Sequence, residues 1–171
     1  MQQVVYTDGH LWSSVGTALQ VGANTLDGAA YFVIKPLWRN GILKASVTRQ
    51  GYVASENNNL LYPAIGVSEK GNGAMVFTLT GPDYFPSAAY IPINLSGGVA
   101  ADIRLAVAGS NPDDGFTCYP SGGGPPGRWG DYSAAVAVGT DTVWIATEYI
   151  SKKKRDRFTN WGTFIGSLPL P

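Results

Sequence analysis

Helix signals are nearly missing from this sequence. No window repeats apolar residues at i, i+3, i+4 and i+7 over three turns, and no capping residue precedes such a run. Cysteine is almost missing too. Cys118 stands alone in a loop rich in Gly and Pro, so no intrachain disulfide can form. The single histidine is His10, and one Cys with one His cannot build a Cys/His zinc site. Charge is scarce at 14% of residues, against about 25% in ordinary soluble domains. The 12 basic and 12 acidic side chains balance, which leaves no electrostatic footprint for nucleic acid. The cationic run Lys152-Lys153-Lys154-Arg155 is diluted at once by Asp156 and reads as a solvated hairpin loop. No stretch approaches the roughly 18 apolar residues of a membrane-spanning helix, and no basic n-region precedes an apolar h-region. GxGxxG, the P-loop and Gly-x-Ser-x-Gly are all absent, so no nucleotide cofactor, metal or serine triad is implied.

What is present is turn chemistry and strand chemistry. With 22 Gly and 11 Pro and no Gly-x-y period, the chain reads as many turns between short strands. Apolar residues at 44% and aromatics at 12% exclude a disordered chain. A chain of 171 residues implies one domain that buries about two-thirds of its unfolded surface. Strands are predicted at 9–15 after a Thr7-Asp8-Gly9 turn, at 29–34, and at 42–53 with a bulge at Gly51. Others are predicted at 88–93 and 102–107, with Pro92 marking an edge or a bulge. The last covers 160–166. Residues 109–127 form a long Gly/Pro/Ser/Asp loop, and loops of this length are functional or mobile.

One hairpin pattern is written twice. Tyr62-Pro63-Ala64-Ile65-Gly66-Val67 leads into Ala74-Met75-Val76-Phe77-Thr78-Leu79, and Tyr132–Val138 leads through Gly139-Thr140-Asp141 into Thr142–Thr147. A polar-aromatic pair follows closely each time, Asp83-Tyr84 and Glu148-Tyr149. Repetition at this scale signals a repeat architecture. The strands group into units at 3–54, 60–108 and 128–171. The fold class expected is therefore all-β: two to three antiparallel blades of a β-propeller within the single domain 1–171. A β-sandwich fits the strand count but does not need the repeat. Propellers close with about four to eight blades, so three units make an incomplete ring. Met1 is followed almost at once by strand-like sequence, and Pro171 ends a strand. Both ends read as cuts from a larger parent.

Arg128-Trp129-Gly130-Asp131-Tyr132-Ser133-Ala134-Ala135, Ile145–Ile150 and Asn160-Trp161-Gly162-Thr163 resemble uncharacterised bacterial proteins similar to sialidase-type, BNR-repeat β-propellers. Gly81–Tyr90 and Arg49–Val53 share the resemblance, which covers the chain from about Gly28 onward. It implies a larger parent and an extracellular or periplasmic setting, and it transfers no catalytic residue. The Asp-box Ser-x-Asp-x-Gly-x-Thr-Trp is degenerate here, since Gly139–Trp144 keeps only an Asp and a Trp at shortened spacing.

Glycoside hydrolysis uses two carboxylates flanking one bond. Asp131 and Glu148, each beside a tyrosine, lie on opposite arms of the second hairpin at similar distances from its turn, so they are expected as cross-strand neighbours. Arg128 would hold an anionic substrate, and Trp129, Tyr132 and Tyr149 would line the site. The plainer reading is a structural cluster that ties strand ends together. Asn111-Pro112-Asp113-Asp114-Gly115 resembles a fragment of a calcium loop but lacks the regular spacing, and an Asx turn explains it. Trp12, Trp38, Trp129 and Trp161 would stack on sugars or, more plainly, fill the space between blades. The sequence thus supports a non-enzymatic module of a secreted propeller protein. Its partners would be the remaining blades of a parent, further copies paired through open sheet edges, or a glycan. A sialidase-like glycoside hydrolase is the alternative.

Overall fold

The computed structural model describes residues 3–94, the backbone of 98–99, and residues 102–113, 129–151 and 160–170. Turn residues set the first sheet. Strands β1 (Val4–Thr7) and β2 (His10–Val21) are joined by Asp8-Gly9 at φ of 47° and 70°. Strands β3 (Asn24–Arg39) and β4 (Ile42–Val53) are joined by Asn40-Gly41 at φ of 51° and 73°. Both are two-residue turns with positive φ at both positions, whose twist matches that of the flanking strands. The sheet is an antiparallel meander in the order β1-β2-β3-β4.

Two details differ from the sequence reading. β2 and β3 run past their predicted ends because Thr17–Val21 and Asn24–Gly28 continue pairing to the turn at Gly22. The bulge in β4 is not at Gly51, which pairs in register with Tyr31. It falls at Thr48, where the register slips between Val33 and Ile34 and the Thr48 hydroxyl donates to the Val33 carbonyl at 3.0 Å. Gly51 has another task. A Cβ there would sit 2.7 Å from the Tyr31 ring, so the missing side chain gives the ring its place.

The middle sheet holds β5 (Asn59–Val67), β6 (Asn72–Thr80) and β7 (Ser87–Asn94). Two short strands, β8 (Gly98–Val99) and β9 (Arg104–Val107), share the far side of β7. β9 pairs with β7 up to Tyr90 and β8 pairs with it from Ile93, so Pro92 falls in the gap, where its missing N–H leaves no partner unserved. The third sheet is the meander β10 (Ala134–Val138), β11 (Thr142–Ile150) and β12 (Trp161–Pro169).

The three sheets stack in chain order, and alternation along the middle strands explains how. Ile65, Met75, Phe77 and Ile91 point to the first sheet and meet Trp12, Ala29, Val33 and Val53. Ala64, Ala74 and Val76 point the other way and meet Ala135, Val143 and Ile145 of the third sheet. Both faces of the middle sheet are thus covered, which is why Ala74–Phe77 reads as an unbroken apolar run rather than an alternating one. Each large aliphatic buried in this way contributes about 1.5–3 kcal/mol.

Polar ties cross the layers. The Gln3 amide donates to the Ala135 carbonyl at 2.6 Å, and its oxygen accepts from the Ala135 N–H at 3.2 Å. One side chain thereby imitates a neighbouring strand along the β10 edge. The Ser14 hydroxyl donates to the Pro63 carbonyl at 3.1 Å. The Ile150 N–H donates to the Pro86 carbonyl at 2.9 Å. The fold is all-β in three antiparallel sheets, and no closed barrel or ring forms among the described residues. No described helix is long and apolar enough to cross a membrane.

Candidate functional site

Glu148 lies on β11, paired with Thr163, on the side of the third sheet that faces away from the middle sheet. Its position rests on a hydroxyl relay on the opposite side. The Ser133 and Thr147 hydroxyls meet at 2.8 Å, and those of Thr147 and Thr78 meet at 3.1 Å. Thr78 donates to the Glu148 carbonyl at 2.9 Å and accepts from the Trp129 indole N–H at 3.4 Å. The relay pins the end of β11 to β6. It also holds Trp129, whose carbonyl accepts from the Tyr62 hydroxyl at 3.5 Å.

Gly130 follows, and its N–H donates to the Glu148 carboxylate. A Cβ at 130 would collide with that carboxylate and turn the flexible Glu148 side chain aside. The Glu148 carboxyl is raised above its ordinary range. Burial is the main cause, the Gly130 N–H opposes it, and the charges of Asp131 and Asp113 add to it. A carboxyl held this way keeps its proton to higher pH, a property of general acids.

The predicted site residues fall as follows. Ala134 pairs with Ala146, and the Ser133–Thr147 hydroxyl contact extends that register by one step. The next step sets Tyr132 opposite Glu148, with Asp131 one residue further along. Tyr132 is exposed on the Glu148 side of the sheet. Tyr149 alternates to the other side, pairs with Gly162 and is half-buried. Trp129 is half-buried in the relay. Arg128, Cys118 and Lys152–Arg155 lie outside the described residues, as does the 109–127 loop beyond Asp113.

Sequence reasoning assigned Asp113 to a calcium-like turn and missed its charge at Glu148. It also missed Thr78, whose partners lie about 70 residues away on another sheet. No group of three or more His, Cys, Asp or Glu among the described residues is placed to hold a metal ion. Of the tryptophans weighed for sugar stacking, Trp12 is buried between the first and middle sheets and Trp38 is exposed on the β3–β4 hairpin. Asp83 caps the polar 55–59 loop, its carboxylate accepting from the Asn58 amide at 2.9 Å.

The depression beside Glu148, lined by Tyr132, Ala134, Ala146 and Thr163, holds about 190 Å³. Ligand pockets run from about 300 to 1,000 Å³. Two larger hollows lie elsewhere. One of about 340 Å³ sits between Ser14, Asp27, Tyr62 and Pro63, where the β5 bulge holds Tyr62 at φ 53°. The other, about 390 Å³, lies where β1, the end of β5 and β10 converge around Gln3, Thr7, Ser68 and Ala137. The Ser68 hydroxyl is buried there with no hydrogen-bond partner among the described residues. Comparison with known proteins found no matching family model, no matching curated protein and no matching solved structure.

Proposed function

We propose that the chain is a non-enzymatic module of a secreted β-propeller protein, its three sheets serving as blades and its role being binding or scaffolding. The observation that carries this reading is the stacking. Each sheet is antiparallel, the first and third are simple meanders and the middle one is a meander with β9 also paired to β7, and the sheets pack face to face in the order in which the chain makes them. Propeller blades are built and ordered in this way. The extracytoplasmic setting rests on the resemblance of the 128–135, 145–150 and 160–163 segments.

A second reading, a glycoside hydrolase, is favoured by one observation: Glu148 is raised, with Asp131 contributing. The small depression at Glu148 weighs against it. The deciding experiment incubates the full chain with aryl glycosides, sialosides included. No release of aglycone is expected. Turnover that disappears in Glu148→Gln and survives in Thr140→Ala would overturn the non-enzymatic reading. A glycan array run alongside separates binding from scaffolding.

A further inference from the structure

The two ends of the stack differ in kind. Val5 of β1, Trp12 of β2 and Val33 of β3 form one cross-strand row. That row faces the middle sheet, and Trp12 is 1% exposed beneath it. Val136 of β10, Trp144 of β11 and Ser167 of β12 form the corresponding row of the third sheet. The strand positions are the same and so is the direction, toward where a following sheet would lie. Here the row is bare, with Val136 55% and Trp144 47% exposed. Ala134, Ala146 and Ile165 continue the same face.

The middle sheet confirms the direction. Its row Gly66–Ala74–Pro92 occupies the matching place. It is covered by the third sheet, where the Gly66 backbone comes up against Ala135. In both covered cases the sheet below offers small residues. Ser14, Gly16 and Ala29 surround Trp12, and Ala64, Gly66 and Ala74 line the middle sheet.

The covering sheet must present the opposite chemistry. The middle sheet covers the first with Ile65, Met75, Phe77 and Ile91, all large. The first sheet's own outer face carries the same kind of side chains. Leu11, Val15, Phe32 and Ile34 alternate away from Trp12 and Val33, and Val47, paired with Ile34, is 54% exposed. One chain therefore holds both halves of a third sheet-on-sheet contact, but on opposite ends of its stack. They cannot meet within a single copy.

We infer that the outer face of the third sheet, centred on Val136 and Trp144, docks the outer face of the first sheet of a second copy. Two copies so joined make two identical contacts and close a ring of six sheets, inside the range of about four to eight that such rings adopt. The contact is between faces, not edges, and the edge of β10 is already occupied by Gln3. The inference rests on the blade reading above.

Light scattering on the full chain after size exclusion tests it. The expected mass is twice the 18.1 kDa of one chain. Trp144→Asp alone and Val47→Asp alone each spoil both contacts, so each should run as a monomer with an unchanged far-UV spectrum. Trp144→Ser, a milder change to a residue already present in that row, should weaken the pair by at least tenfold. Mixing the two Asp variants leaves one intact contact and should give a one-to-one pair. A monomeric wild type, a Val47→Asp variant that stays dimeric, or a mass that grows without limit with concentration would each overturn the inference. A folded monomer leaves the blade reading standing, and glycoside turnover bears on that reading without touching the mass.

Discussion

Gly66 is where the middle and third sheets press closest, and Gly66→Ala measures how rigid that contact is. A Cβ there would lie 2.7 Å from the Ala135 carbonyl carbon and 2.8 Å from its oxygen. Ordinary contact begins at 3.4 Å, so β10 must retreat by about 0.7 Å. The obstacle is backbone, which cannot swing aside as a long side chain would. Overpacking of this kind costs about 1–3 kcal/mol. Retreat also stretches the two hydrogen bonds between Gln3 and Ala135, each contributing about 0.5–1.5 kcal/mol. Loss of glycine's unfolded-state freedom returns about 0.4–1 kcal/mol. The net expectation is a destabilisation of about 2 kcal/mol, or a fall in Tm of about 4–8 °C for a chain of this size.

Gly162→Ala is the control. Its nearest neighbour is the Tyr149 ring at 3.6 Å, an ordinary contact, so its stability should stay within about 0.5 kcal/mol of wild type. Thermal and urea melts followed by circular dichroism read both. A Gly66→Ala protein as stable as wild type would refute the claim that the third sheet is packed rigidly on the middle one.

Three further outcomes are expected. Phe77→Ala empties a site that is 0% exposed between the first and middle sheets and should cost about 3–5 kcal/mol in urea melts; a loss below 1 kcal/mol would contradict the packing described. Thr78→Val removes the hydroxyl that joins Thr147, Trp129 and the Glu148 carbonyl, and about 1–3 kcal/mol should be lost, with a change in tryptophan fluorescence that an unlinked Trp129 would not show. For Glu148, the folded state keeps a proton that the unfolded chain releases near its ordinary value of 4.5, so its contribution to stability is present below that pH and is lost as pH rises through the raised value. Glu148→Gln should therefore gain stability relative to wild type as pH rises from 4.5 through the raised value, and a difference that is flat or of opposite sign across paired urea titrations would show that burial does not dominate at this carboxyl.

Much of this fold was legible in residues whose burden is local. Asp8-Gly9 announced its hairpin because only a positive φ fits there. Pro92 pointed to an edge or a bulge, and it lies in a strand flanked on both sides, in the gap where neither β8 nor β9 pairs with β7. Both predicted hairpins form, β5 with β6 and β10 with β11, because strand-forming runs flank a short turn in each. What stayed hidden was set by partners far along the chain. Gly51 looks like a bulge until Tyr31 is seen to need its space. The slip at Thr48 has no signature of its own, since threonine is an ordinary strand residue. The carboxylates were found by type, but the Gly130 N–H that opposes the rise at Glu148 and the Asp113 charge that adds to it come from separate segments of the chain.

The doubly covered middle sheet carries a consequence for synthesis. Its strands end by Val107, yet the cover for Ala64, Ala74 and Val76 is complete only at Pro169. A ribosome adding about 5–20 residues per second leaves that apolar face waiting for about 3–12 s. During this interval the first sheet is already seated on one side while the other side lies open to any passing strand or sheet. The open face, with Ala64, Ala74, Val76 and a half-buried Tyr90, carries less aliphatic bulk than the other, which lowers the hazard. The large ones, Met75 and Phe77, point toward the sheet that was made first. Placing more aliphatic bulk on the side covered earliest suits a nascent chain that folds from its N-terminus onward.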